Sequence, residues 1–271
     1  MISVRGGSGL GDALYVQSVA RYLVEHGNQV EACCNWPDVF RPLVNSVRVT
    51  ELRRSNVDRL AHYSLGRAVA GTTQWEDCCL AARIPTSTPL RLDWTASRGG
   101  LAEKTVKAAA GRPIVLVGLP RAPFGRSDGF GKEVLPDAVA IQAAVDALSR
   151  RRVFTVQVGS GKSVYRLDGL SLDMANKTTV SELLDLASMA DGFLGFPSFF
   201  IPMAESLGKP GLVVWSRRGL NSGHQVIRQI TPKKVIHRKG LLSVVHDDDR
   251  LDVIAKACDA VLEQIRHPAS V

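Results

Sequence analysis

The sequence shows the pattern of a strand, a turn and a helix near each end of the chain, and this repetition constrains the fold more than any other feature. Near the amino terminus, an apolar segment at residues 2–4 leads into GGSGLGD, which ends at Asp12, and then into an amphipathic segment. In the second half, residues 193–195 lead through Ser198 into another amphipathic segment at residues 201–207. In parallel α/β sheets, ligands bind where strand carboxyl ends meet helix amino ends. The pattern therefore predicts one ligand-facing turn in each half of the chain.

The segments between these two turns alternate between strand and helix signals. An unbroken apolar run at residues 114–119 is typical of a strand that is buried on both faces. This order implies parallel strands with right-handed crossovers, so we predict an α/β fold with two Rossmann-like lobes, residues 1–111 and 112–271. Residues 52–100 show no regular pattern and are placed in the first lobe. Further strands are predicted at residues 29–33, 47–49, 153–158, 170–173 and 211–215, with a possible last strand at 235–236, and helices at residues 13–25, 137–149, 182–189 and 248–265.

Composition limits the setting in which the chain can work. At 271 residues and 45% apolar content, the chain can bury a full core, and no apolar run approaches the ~20 residues of a membrane span. The amino terminus enters a strand directly and does not resemble a signal peptide. The five cysteines include two adjacent pairs, Cys33-Cys34 and Cys78-Cys79, which seldom form disulfides with each other. We therefore expect reduced thiols, a cytoplasmic location and no transmembrane segment.

The balance of charge favours an acidic partner. The chain has 34 Lys and Arg residues against 26 Asp and Glu residues, a net charge of +8 and a pI near 9.5. Such a balance suits a nucleotide phosphate, lipopolysaccharide or nucleic acid, although a basic solvated surface explains it equally well. The histidines are scattered, and neither a CxxC nor an HExxH pattern occurs. We therefore expect no metal site.

The glycine-rich turn near the amino terminus matches neither common phosphate-binding fingerprint. Its spacing is not GxGxxG, and it lacks the GK[ST] ending of a P-loop. The backbone of Gly9, Leu10 and Gly11 can approach a ligand closely, so we predict that this loop contacts the acceptor or a phosphate. Asp12 would repel a phosphate, but it suits a general base that takes a proton from an acceptor hydroxyl. The alternative is that Asp12 only complements the dipole of the helix that follows.

Two segments resemble glycosyltransferase family 9, the ADP-heptose:lipopolysaccharide heptosyltransferases. SGLGDALYVQSVARYLVEHGNQVEA resembles the opening of that family, and VSELLDLASMADGFLGFPSFFIPMAESLGKPGLVVW resembles its donor segment. The resemblance implies a GT-B fold, in which two Rossmann-like lobes face each other and the sugar nucleotide binds mainly to the second. It also implies that Asp12 is the catalytic base and that Ser198 holds a phosphate of the donor.

The chain departs from the family's donor turn at three positions. Pro197 stands where the family usually has Asp, Phe199 where it has Gly, and Pro202 where it has His. The turn therefore lacks a carboxylate and an imidazole, while the rest of the segment remains. We expect altered donor specificity rather than lost activity.

The donor's diphosphate is expected at the turn before residues 201–207. There, the N–H groups of Ser198, Phe199 and Phe200 are predicted to face the cleft. Pro197 contributes no N–H group, and no carboxylate stands beside the phosphates to repel them.

Further donor contacts are predicted in the second half of the chain. Gly159 and Ser160 follow a strand and can offer backbone N–H groups to the nucleotide, and Trp215 ends a strand and can stack on a base. Arg121 and Lys132 lie in the loop after residues 114–119, where related transferases often place a cation against the donor phosphates. The plainer readings are a simple turn, a core tryptophan and a basic surface loop.

Together these features favour an inverting transfer of a sugar from a nucleotide-sugar donor to an acceptor hydroxyl, with no metal and no resident cofactor. Helix amino termini and basic side chains would stabilise the departing diphosphate. The acceptor is a carbohydrate or, given the basic second half, DNA with a hydroxymethylated pyrimidine, as in some bacteriophages. The alternatives are a non-catalytic protein that binds nucleotide sugars or nucleic acid, and a GT-B-shaped epimerase. The sequence leaves the oligomeric state open.

Overall fold

A computed structural model describes residues 1–51, 57–63, 71–118, 138–159, 167–217 and 231–268 of the chain. Its strands are β1 (Ile2–Arg5), β2 (Val30–Cys33), β3 (Val47–Thr50), β4 (Arg59–Leu60), β5 (Ile114–Gly118), β6 (Phe154–Val158), β7 (Leu172–Asp173), β8 (Gly192–Gly195), β9 (Gly211–Trp215) and β10 (Leu242–His246). Its helices are α1 (Leu10–Glu25), α2 (Gln74–Ala82), α3 (Leu101–Ala109), α4 (Ala138–Arg150), α5 (Val180–Met189), α6 (Phe200–Leu207), α7 (Pro232–Val235) and α8 (Leu251–Arg266), with a 3-10 helix at Pro37–Leu43.

The described strands form two parallel sheets. The first has the order β3-β2-β1-β4, and the second has the order β10-β9-β8-β5-β6-β7. Every strand pair in both sheets is parallel. In each sheet the chain starts in the middle, builds outward on one side and then crosses to the other, which is the doubly wound arrangement of Rossmann folds. The predicted α/β fold with parallel sheets is confirmed.

Apolar segments of the sequence form the interior of the second sheet. Strands β5, β6, β8 and β9 are buried at every position, as expected for parallel strands that are covered on both faces. The terminal helix α8 contributes a stripe of residues at helical spacing, namely Ile254, Cys258, Val261 and Leu262. This stripe and the buried face of α4 belong to one hydrophobic cluster. Helical spacing also places Leu251 on this face, but Leu251 is 62% exposed at the first residue of the helix, so the face predicted from periodicity is buried only in part.

The possible last strand at residues 235–236 is wrong. Val235 ends the short helix α7, whose first residue is Pro232. Proline favours this position because its fixed φ suits a helix and its missing N–H is not needed there. The last strand is instead β10, which pairs with β9 in the register Leu242↔Gly211.

Residues 52–100 contain more regular structure than the sequence pattern indicated. Their described part includes β4 and α2. Helix α2 begins with a capping box, in which Thr73 Oγ1 accepts the Glu76 N–H at 3.3 Å and the Glu76 carboxylate accepts the Thr73 N–H at 2.6 Å. The Thr-x-x-Glu spacing of this motif is visible in the sequence and was the missed signal.

Contacts tie elements of the first half of the chain to helix α5. The Asp185 carboxylate accepts hydrogen bonds from Arg41 Nη2 at 2.8 Å and from Trp94 Nε1 at 2.7 Å. The Arg41 guanidinium also stacks on the Trp94 ring, 3.8 Å from its centroid. Helix α3, which precedes the predicted lobe boundary near Gly111, packs on α5 as well. The boundary itself stays a prediction.

Two features bear on the expected compartment without deciding it. All five cysteines are free and buried. Among the described residues, no helix is both long enough and apolar enough to cross a membrane. The cytoplasmic location stays a prediction.

A buried ion pair between α2 and α7 leads to a stability prediction. Lys234 Nζ lies 2.6 Å from Asp77 Oδ2, and the two side chains are 11% and 8% exposed. We expect Lys234→Met to lower the free energy of unfolding by about 3–5 kcal/mol, because it leaves the Asp77 carboxylate buried without its cation. Urea denaturation measures this loss.

The matched control is Lys233→Met, because Lys233 is the exposed neighbour on the same helix. We expect its effect to stay within about 0.5 kcal/mol. Equal losses from the two variants would contradict a role for the ion pair.

Candidate active site

The turn after β1 holds the Asp12 carboxylate against its own backbone. Helix α1 begins at Leu10, ahead of the predicted residue 13, so Asp12 lies in its first turn. The Asp12 Oδ2 atom accepts the Gly9 N–H at 3.0 Å. A Cβ atom on Gly7 would lie 2.6 Å from Asp12 Cγ, so a larger residue at position 7 would displace the carboxylate. The glycines therefore keep the acid close to the carboxyl end of β1.

The chain after β4 runs beside this turn and adds residues that the sequence did not single out. Ala61 N donates to Arg5 O at 2.8 Å, which extends the pairing of β4 with β1. Tyr63 follows and packs its ring edge-on against Tyr15, with centroids 5.8 Å apart and an interplanar angle of 84°. The strand at residues 59–60 is too short to show as a sequence pattern, and only its pairing with β1 brings Tyr63 to the edge where parallel strands end.

A third strand end contributes Trp36. This half-buried residue follows β2, and its Nε1 donates to Ser8 O at 2.9 Å. The indole therefore lies against the glycine-rich turn. The carboxyl ends of β1, β2 and β4 together bring aromatic side chains around the Asp12 region.

Four titratable side chains near Asp12 are neutral at neutral pH. Burial raises the pKa of Tyr15 well above its ordinary value and the pKa of Cys34 to about 11. Burial is also the main cause of the raised pKa values of Tyr63 and Cys78. The negative charge of Asp12 adds to the shift of all four groups. Asp12 therefore lies among phenols and thiols that stay protonated.

The turn after β8 forms internal contacts at the crevice of the second sheet. The Phe200 N–H donates to Ser198 Oγ at 3.3 Å, so this amide already has a partner within the turn. The buried Phe200 ring lies over Gly118 at the end of β5, where a Cβ atom would come within 2.7 Å of ring carbons. The ring thus occupies the space between the ends of β5 and β8. Ser198 and Phe199 are half-buried, and the role of all three residues in donor binding stays a prediction.

The two turns touch each other. A Cβ atom on Gly11 would lie 3.3 Å from Phe199 Cα and 3.3 Å from Pro202 Cγ. The first turn of α1 therefore packs directly on the first turn of α6. Two of the positions that depart from the family 9 pattern, Phe199 and Pro202, form this contact. The structure brings Asp12 and the predicted donor turn into one region.

The remaining predicted donor residues divide between described and undescribed parts of the chain. Gly159 directly follows β6 and has a positive φ of +142°. Trp215 is 2% exposed and belongs to the hydrophobic core, which is typical of a structural tryptophan. Arg121, Lys132 and Ser160 lie outside the described residues.

Among the described residues, no group of three or more His, Cys, Asp or Glu side chains is arranged to hold a metal ion.

A buried acid lies on the helix that follows the donor turn. Glu205 is 0% exposed, and its Oε1 accepts the N–H groups of His237 at 2.7 Å and Arg238 at 2.6 Å. Its Oε2 is buried without a hydrogen-bond partner in the described part of the chain. Burial raises the pKa of Glu205 to about 7. The residue anchors the segment after α7 to α6, at a position that the sequence analysis did not single out.

The raised pKa of Glu205 predicts a pH-dependent stability. The folded state retains the Glu205 proton up to pH about 7, whereas the ordinary value for the side chain is 4.5. Because the folded state binds more protons in this window, this residue should lower the free energy of unfolding as the pH rises from 4.5 to about 7. Glu205→Gln keeps an oxygen for both N–H groups but does not titrate.

We therefore expect Glu205→Gln to be more stable than the wild type at pH 8, by up to about 3 kcal/mol. The advantage should shrink toward acidic pH. Urea denaturation of both proteins across this range measures the difference, and parallel stability curves would contradict the assignment.

Comparison with known proteins identifies the fold. No protein-family model matches the sequence, and no curated protein sequence matches it. Solved structures of glycosyltransferases resemble the chain along nearly its whole length, among them the following three. ADP-heptose lipopolysaccharide heptosyltransferase II of E. coli is 14% identical, with a TM-score of 0.64, and the match covers 98% of this chain and 99% of that chain.

The matches to the other two structures cover a similar share of the chain. A glycosyl transferase family 9 protein of Veillonella parvula is 9% identical, with a TM-score of 0.68, over 96% of this chain and 97% of that chain. The E. coli heptosyltransferase WaaC, solved with ADP, is 11% identical, with a TM-score of 0.56, over 98% of this chain and 100% of that chain. Identities this low establish the fold alone. The chain therefore has the GT-B α/β fold of the heptosyltransferase-like glycosyltransferases, as the resemblance in its two turns predicted.

Proposed function

We propose that this protein is a glycosyltransferase that moves a sugar from a nucleotide-sugar donor to an acceptor hydroxyl. The observation that supports this most strongly is the position of Asp12, a half-buried carboxylate at the amino end of α1, where that helix touches α6. Four titratable side chains near it are neutral phenols and thiols. A carboxylate in such surroundings suits proton abstraction from a hydroxyl. The fold shared with heptosyltransferases adds to this argument.

The proposed donor is a nucleotide diphosphate sugar that binds mainly to the second lobe, residues 112–271. WaaC, whose fold this chain shares, was solved with ADP. In the proposal, the diphosphate lies at the turn before α6, near Ser198 and Phe199. The amino end of this helix favours negative charge. Basic side chains of the second half supply the remaining charge.

The proposed mechanism is an inverting transfer in which Asp12 takes the proton of the acceptor hydroxyl. The acceptor oxygen attacks the anomeric carbon, and the bond to the departing nucleotide diphosphate breaks. Hydrogen-bond donors at the start of α6 and cationic side chains stabilise the negative charge that develops on the leaving group. The mechanism as proposed requires no metal and no resident cofactor.

The acceptor is proposed to be a carbohydrate, with DNA as the alternative. The net charge of +8 supports the DNA alternative, because phosphate contacts dominate the binding of nucleic acid. Binding to duplex DNA that weakens steeply as the salt concentration rises would favour DNA as the acceptor. Nucleotide release that depends on an added saccharide would favour a carbohydrate acceptor.

A second candidate function is non-catalytic binding of a nucleotide sugar or nucleic acid. The observation in its favour is that Phe199 and Pro202, which depart from the family 9 pattern, are engaged in the contact with Gly11. The absence of nucleotide release in the presence of acceptors, together with retained nucleotide binding, would favour this candidate.

Asp12→Asn tests the catalytic base. We expect it to lower the rate of transfer by about 10²–10⁴-fold, because a base acts in the chemical step, while the Kd for ADP stays within about twofold. Nucleotide release and calorimetric titration with ADP measure the two quantities. The control is Asp38→Asn, which changes an exposed carboxylate in the 3-10 helix. Transfer at the wild-type rate by Asp12→Asn would show that Asp12 only complements the helix dipole.

Ser198→Asp tests the donor turn. The new side chain still offers an acceptor for the Phe200 N–H but sets a negative charge against the proposed diphosphate. We expect ADP to bind at least about tenfold more weakly, in line with the repulsion of an anion from a phosphate site. Ser198→Asn, which is neutral and of the same size as Asp, should bind ADP more tightly than Ser198→Asp. Equal affinities of the two variants would place the diphosphate elsewhere.

A further inference from the structure

Tyr63 lies next to the proposed base although it follows a different strand. β1 and β4 are neighbours in the first sheet, paired in the register Arg5↔Leu60. A Cβ atom on Gly6 would lie 2.8 Å from Ala61 O, so the segments that leave the two strands run in close contact. This backbone arrangement brings Tyr63 to the same sheet edge as Asp12.

Packing holds the Tyr63 side chain in place. Its ring lies edge-on against Tyr15, which follows Asp12 by one turn of α1 and is 3% exposed. The other side of Tyr15 stacks on Trp75 of α2, with centroids 5.8 Å apart and an interplanar angle of 22°. His62 stacks on the Tyr63 ring at 5.6 Å. The Tyr63 ring is therefore held from two sides, and its hydroxyl has few positions to adopt.

The Asp12 carboxylate contributes to the raised pKa of the Tyr63 hydroxyl. Burial is the main cause of the raised pKa of Tyr63, followed by the negative charge of Asp12. A hydrogen bond to Asp12 contributes to the same shift. The phenol therefore stays protonated and can donate to the carboxylate.

We propose that Tyr63 is the positioning residue for Asp12. Its hydroxyl donates a hydrogen bond to the carboxylate, whose Oδ2 also accepts the Gly9 N–H at 3.0 Å. Two donors from different segments hold the carboxylate in one orientation, which aligns it with the acceptor hydroxyl. This inference rests on the proposed function, because it assigns Tyr63 a role through Asp12 as base. Preorganisation of this kind affects the chemical step more than substrate binding.

Tyr63→Phe is the test, because it removes the hydroxyl and keeps the ring that packs on Tyr15. With ADP-heptose as the donor probe, we expect kcat for ADP release to fall about tenfold, the effect of losing one hydrogen bond to a charged group. The KM for the donor should stay within about twofold. The control is Tyr22→Phe, which changes a half-buried tyrosine of α1 that stacks on His26 at 3.9 Å. We expect this control to leave kcat unchanged.

A stability cycle tests the interaction without substrate. If Tyr63 bonds to Asp12, the stability lost in Tyr63→Phe should largely disappear in the Asp12→Ala background, because the partner is already gone. Urea denaturation of the two single variants and the double variant measures this coupling. Fully additive losses would overturn the proposed hydrogen bond.

The proposed function and this inference fail in different ways. If Asp12→Asn transferred sugar at the wild-type rate, Asp12 would not be the catalytic base. That result would contradict the proposed function. A slow Asp12→Asn variant together with a wild-type kcat for Tyr63→Phe would retain the base and overturn the positioning role of Tyr63.

Discussion

The contact between the amino ends of α1 and α6 is the constraint on which the arrangement of the candidate site depends. It is possible because residue 11 is a glycine, since even a Cβ atom there would lie 3.3 Å from Phe199 Cα and from Pro202 Cγ. Each helix follows a central strand of its own sheet, β1 in the first and β8 in the second. The close approach therefore joins the ligand-binding edges of the two sheets. It also brings together two positive helix ends, an electrostatic setting that favours an anion.

Around this contact, burial determines which side chains are neutral. The phenols and thiols near Asp12 have raised pKa values because burial disfavours their charged forms. Asp12 lies in the turn between them, where Gly7 and Gly9 leave room for its carboxylate. The same physical effect acts on Glu205, where burial raises the pKa to about 7 and two backbone N–H groups stabilise the carboxylate. Glu205 thus anchors a segment of chain, whereas Asp12 is the acid that we propose for the chemistry.

The departures from the family 9 donor turn acquire a structural meaning in this arrangement. Phe199 and Pro202 both contact Gly11 across the junction of the two helices. The Phe199 and Phe200 rings also lie 4.7 Å apart, so the turn is apolar where the family has Gly and His. Both substitutions therefore contribute to the contact between the helices. They are therefore the positions at which we propose that donor specificity differs from that of the heptosyltransferases.

The sequence by itself determined the α/β class, the parallel strands and the two turns, because those features depend on local periodicity and on residues that are adjacent in the chain. It identified Asp12 for the same reason, since the acid directly follows the glycines that hold it. It failed for α2 and for β10, although the Thr73 capping box was a local signal for α2.

Only the tertiary structure decided which distant residues meet. Tyr63 reaches Asp12 because β4 pairs with β1, although two strands intervene along the chain. Asp77 meets Lys234 across 157 residues for a comparable reason, since α2 and α7 pack together. Pairing between strands and packing between helices depend on the burial of shared surfaces, and no local pattern records which surfaces those are. The proposed base was therefore accessible from the sequence, whereas its proposed positioning residue was not.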